Sequence, residues 1–125
     1  MIIGAIYFGE GRIRLKVKGI RGREEDVEAV IDTGYTGSLT LPSEIVSLLA
    51  LDWRSVDRGT LADGSECLFD VYEAKVLWDG KARQILIDET NADPLLGMRL
   101  LKGYELRMQI RERGKVTIAP LNPRK

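Results

Sequence analysis

Asp32-Thr33-Gly34 follows the apolar run Val27-Glu28-Ala29-Val30-Ile31, and no other stretch of this sequence is better suited to chemistry. A carboxylate on a tight turn directly after a buried strand is held in place with its backbone partly hidden. A carboxylate that acts on water or on a carbonyl needs that placement. The tripeptide alone carries little information, so its surroundings decide its meaning. The sequence contains no histidine, which excludes Ser-His-Asp and Cys-His nucleophilic catalysis and removes the commonest zinc ligand. Cys67 is the single cysteine. Without a disulfide partner in the chain or a histidine to activate it, it reads as a small buried or half-buried side chain. No metal or organic cofactor is implied.

The elements that must position Asp32 belong to a chain of 125 residues, 44% of them hydrophobic. That length and content predict one globular unit over residues 1–125 with a substantial core. Lys plus Arg and Asp plus Glu number 19 each, so no overall basic field favours nucleic acid or an anionic membrane. The alternation Arg12, Arg14, Lys16, Lys18 is the wet face of a strand. Residues 1–8 are apolar, but no positive charge precedes them, Gly4 interrupts them, and they run into Glu10. They lack the layout of a signal peptide and read as a strand. No apolar segment approaches the ~20 residues that span a bilayer, and the expectation is a soluble, cytoplasmic protein without membrane partners.

Residues 2–8 and Ile13-Leu15-Val17 are strand-like and are separated by Gly9-Glu10-Gly11, a hairpin signal. Residues 24–31 form a third strand that enters the core just before Asp32. Pro42 suits a first helical position, and Ile45, Val46, Leu48 and Leu49 recur at helical spacing. Residues 53–61 and 66–78 are extended on either side of the turn Ala62-Asp63-Gly64-Ser65. Asp79-Gly80, between 76–78 and 81–87, is the strongest hairpin signal in the chain, because both central residues of a type I′ turn need positive φ. Asn91-Ala92-Asp93-Pro94 breaks the strand, with Asp93 as a turn former and not a second catalytic acid. Leu95-Leu96-Gly97-Met98 with Leu100-Leu101 then makes a second short helical pattern that Gly103 can end. Residues 104–110 and 115–119 close the chain as a hairpin. The prediction is a mainly β domain, a small closed antiparallel β-barrel with one or two short helices.

Three pieces in this order resemble the retropepsin-like aspartic proteases: the apolar run into Asp32-Thr33-Gly34, the turn Ala62-Asp63-Gly64 where that family carries its flap, and the apolar-apolar-glycine element Leu95-Leu96-Gly97. The chain is most similar to the short single-domain bacterial and archaeal members. The resemblance implies an aspartic endopeptidase acting on extended polypeptide segments, in which two carboxylates within about 3 Å share a proton. This chain has one Asp-Thr/Ser-Gly turn, so a second copy must supply the other acid, and a twofold homodimer sets Asp32 opposite its symmetry mate.

By the same resemblance, Thr33 bonds across the axis and Gly34 leaves room for the substrate backbone. Tyr35 stands where viral members carry a small residue and reshapes the groove. Ala62, Asp63 and Gly64 cover the bound peptide, stiffer than the glycine-richer viral flaps, and Leu95, Leu96 and Gly97 pack beneath the catalytic turn. Met98 occupies the place of a viral arginine, with Arg99 one position later. The alternative reading is a dimeric peptide-binding or scaffolding module of the same fold with little or no turnover.

Overall fold

Period-two alternation sets the orientation of β2 (Glu10–Lys18): Gly11, Ile13, Leu15 and Val17 are buried. On its outward face Arg12 pairs with Glu10 and Glu28, and Lys16 and Lys18 pair with Glu24. The basic stripe is therefore a solvated sheet face, and exposed pairs of this kind contribute at most about 1 kcal/mol each. The structure, a computed structural model, describes residues 1–122. Around β2 lie β1 (Ile2–Tyr7), β3 (Glu24–Ile31), β4 (Leu39–Leu41), helix α1 (Ser43–Leu49), β5 (Asp52–Thr60), β6 (Glu66–Trp78), β7 (Lys81–Glu89), β8 (Leu95–Leu96), helix α2 (Met98–Leu101), β9 (Tyr104–Met108) and β10 (Lys115–Pro120).

All ten strands belong to one sheet in the order β5-β6-β7-β4-β8-β3-β2-β1-β10-β9, and β6 also pairs with β2. That extra pairing, with Val17 opposite Val76, joins β2, β3, β8, β4, β7 and β6 into a hydrogen-bonded circuit. Side chains inside it, among them Val17, Ala29, Leu39, Leu41, Val76, Ile87 and Leu96, are almost wholly shielded from solvent and form one core cluster. The fold is mainly β with two short helices, as expected. It is not purely antiparallel, because β3 runs parallel to β8 and β4 parallel to β7.

Local structure departs from the sequence pattern in the layer beneath the Asp32 turn. Leu95-Leu96 is a strand and not the start of a helix; the helix begins at Met98, after Gly97. Leu95 and Leu96 lie beside Val30 and Ile31, and sheet pairing at the centre of the core outweighs their helical propensity. Residues 39–41, too short a run for the sequence pattern to specify an element, form β4. All three are buried, and β7 and β8 pair with the strand on its two edges. The hairpin signals fare better: Asp79 and Gly80 adopt φ of 50° and 82°, as a type I′ turn requires. Between β1 and β2 the turn falls at Phe8-Gly9, one residue earlier than expected.

Candidate active site

Asp32 follows the last residue of β3, and its N–H donates to the Leu96 carbonyl at 2.9 Å, so β8 holds the turn from below. The Asp32 carboxylate is half-buried, and its Oδ1 accepts the Gly34 N–H at 2.9 Å. Asp32's carbonyl accepts the Tyr35 N–H at 3.1 Å, which completes the turn. Thr33 and Gly34 are exposed at its apex.

Leu95, Leu96 and Gly97 form the supporting layer. The Leu95 N–H donates to Thr40 Oγ1 at 2.8 Å, and Leu96 is fully buried. The Gly97 N–H donates to the Ser38 carbonyl, and the next two amides donate to the carbonyls of Tyr35 and Gly37. A Cβ on Gly97 would stand 2.2 Å from the Gly37 oxygen and 2.8 Å from the Tyr35 oxygen, so only glycine fits.

A groove of about 560 Å³ opens between this turn and the β5–β6 hairpin, a volume in the usual range for ligand sites. Asp32, Gly34 and Tyr35 line it on one side, and Asp57, Leu61 and Cys67 on the hairpin side. Ala62, Asp63 and Gly64 lie at the hairpin tip, exposed and beyond the groove wall, which reaches the tip at Leu61. The tip is internally braced. Asp63 Oδ1 accepts both the hydroxyl and the N–H of Ser65, which hold the Asp63 carboxyl below its usual range. Thr33 faces away from the groove, toward a second cavity of about 710 Å³ that it shares with Met98, Leu101 and Tyr104. Asp93 is exposed in the loop before β8. Among the described residues no group of three His, Cys, Asp or Glu side chains is placed to hold a metal, and no helix is long and apolar enough to cross a membrane.

Tyr35 does more than narrow the groove. Its ring lies over Gly37, where a Cβ would come within 2.3 Å of the phenol oxygen, and its hydroxyl donates to Asp88 Oδ2 at 2.5 Å. Burial, and then the bond to Asp88, push the phenol well above its ordinary range. Burial also raises the Asp88 carboxyl. Asp57 adds to that shift, while the Tyr35 bond and the charge of Arg99 work against it. Sequence reading missed this link because Tyr35 and Asp88 are 53 residues apart. They meet through the β4–β7 register, which sets Thr40 beside Asp88.

The raised carboxyl has a consequence for stability. A folded-state pKa above the unfolded value contributes stability that is fully present below the ordinary carboxylate range and is lost as pH rises through the folded value. Asp88→Asn removes that loss, so the variant gains stability relative to wild type as pH rises from about 4 to 8. Urea unfolding across that range checks it, and a difference that does not vary with pH would contradict it.

No protein-family model matches the chain, and no curated protein does. Among solved structures it is similar to the crystal structure of a retropepsin-like aspartic protease from Rickettsia conorii. The identity is 17% and the TM-score 0.58, with 97% of this chain and 91% of that chain covered. At this identity the likeness is one of fold: the chain has the fold of a retropepsin-like aspartic protease, with Asp32 on the turn below which β8 lies.

Proposed function

We propose that this protein is an aspartic endopeptidase whose active site forms at the twofold axis of a homodimer, one Asp32 from each chain. The observation that carries the reading is the Asp32 turn itself. One carboxylate oxygen is fixed by the Gly34 amide, the groove opens beside it, and the apex residues Thr33 and Gly34 are exposed and free to meet a second copy. The fold shared with a retropepsin-like aspartic protease supports it. An apolar recess of about 370 Å³ beside Asp32, with Met108 37% and Ile110 74% exposed on its wall, supports burial by a partner. β1 is already bonded on both sides within its own chain, whereas β5 and β9 end the sheet, and β9, which brings Met108 to this recess, is the edge beside it that a partner strand can join.

In the facing pair, one carboxylate is ionised and the other protonated, because two charges at about 3 Å repel too strongly for both to ionise. The ionised member takes a proton from a bound water as its oxygen attacks the peptide carbonyl carbon. The protonated member gives its proton to the carbonyl oxygen. Collapse of the tetrahedral diol breaks the C–N bond, the nitrogen is protonated, and the pair recovers its single proton. Thr33 ties the two turns together across the axis, and the β5–β6 hairpin with Ala62, Asp63 and Gly64 at its tip covers the bound peptide and excludes water.

A site shared between copies depends on concentration. Specific activity is expected to fall on dilution in step with dimer loss measured by analytical ultracentrifugation. Mixing wild type with an equal amount of Asp32→Asn, with subunits allowed to exchange, should leave about a quarter of the dimers with two intact acids. Activity proportional to the wild-type fraction, and unchanged by dilution, would show that one chain works alone.

A further inference from the structure

The groove beside Asp32 holds two more carboxylates that the proposed reaction does not use. Asp88, half-buried at the end of β7, has its backbone fixed on both sides, beside Thr40 of β4 and opposite Val71 of β6. Tyr35 holds its Oδ2, while Oδ1 accepts no hydrogen bond from a described residue. Asp57, exposed on β5, lines the same groove and is close enough to disfavour charge on Asp88. Among the described residues neither carboxylate makes an ion pair. Arg58, next to Asp57, is paired with Glu66. Arg99 also lines the groove and its charge favours ionised Asp88, but it makes no ion pair with it.

The half-buried carboxylate of Asp88, without an ion-pair partner, costs solvation energy that a cation would offset, and the exposed carboxylate of Asp57 adds a second negative charge beside it. We infer that Asp88 and Asp57 form an acidic subsite that takes a lysine or arginine side chain of the substrate, with Tyr35 positioning Asp88. This rests on the groove being the peptide site of the proposed protease. A long aliphatic stem suits the geometry, since the phenol ring of Tyr35 and the side chains of Leu61 and Leu86 also line the groove. The charge would reach Asp88 Oδ1 while the peptide backbone lies over Gly34.

The test uses a set of fluorescent decapeptides that carry lysine, or its uncharged counterpart norleucine, at each position in turn. The readout is the ratio of kcat/KM for the lysine peptide to that for the norleucine peptide. For wild type the ratio is expected to be about tenfold or more at one position. It should fall toward one in Asp88→Asn and decrease in Asp57→Asn, which lies on the exposed strand β5. A merely structural role would slow both peptides together and leave the ratio where it was. A wild-type ratio near one at every position, or a ratio that neither variant changes, would overturn the subsite. If no peptide is cut, the protease reading fails separately. The same ratio is then taken from the Kd values of the same peptides by fluorescence anisotropy, and the same two results decide the subsite.

Discussion

Asp32→Asn is expected to lower kcat/KM for peptide cleavage by about a thousandfold or more, since in the proposed dimer the paired carboxylates supply both the base and the acid of the reaction. The amide oxygen of asparagine can still accept the Gly34 N–H that Asp32 Oδ1 accepts, and nothing bulkier is placed under the turn. The variant should therefore fold and dimerise as wild type does. What it lacks is the carboxylate that the proposed reaction needs from each chain. Parallel cleavage of a diverse peptide library by both proteins from about pH 4 to 7 checks this. Cuts that persist in Asp32→Asn would remove Asp32 from the chemistry. A wild type that dimerises and binds peptides without cutting them would instead describe a binding module on the same fold.

Gly97→Ala is expected to destabilise the protein by about 3 kcal/mol or more, because overpacking against backbone cannot be relieved by a rotamer change. The new methyl would stand 2.2 Å from one carbonyl oxygen and 2.8 Å from another, with the Tyr35 ring carbon Cδ2 at 2.5 Å. Relief requires that β8 and the Asp32 turn separate. That movement strains the Asp32 N–H bond to Leu96 and the amides of Met98 and Arg99 that hold the loop after it. Thermal unfolding should show a midpoint lower by roughly 10 °C or more for a chain of this size. Under the proposed function, cleavage at a temperature where the variant is still folded should fall as well, since the Asp32 turn shifts with its support. A variant as stable as wild type would mean that the contact between loop and turn is looser than the distances imply.

Much of this was legible along the chain because the signals are local. The alternating residues of β2, the positive-φ pair Asp79-Gly80 and the apolar run into Asp32 each need only a few neighbours to specify a backbone shape. The same holds for the hairpin tip, where Asp63 and Ser65 bond to each other two residues apart. Short-range patterns thus suffice for a mainly β chain, its hairpins, and an aspartate on a turn after a buried strand. The remaining features depend on contacts between distant segments. Leu95 and Leu96 are a strand because Val30 and Ile31 bond beside them, although the local pattern is helical. Leu39–Leu41 is a strand because β7 and β8 flank it. Tyr35 and Asp88 meet across 53 residues because the β4–β7 register brings them together. Pairings and hydrogen bonds of that range depend on which distant segments share a core, and the residues on either side of each segment do not encode that choice.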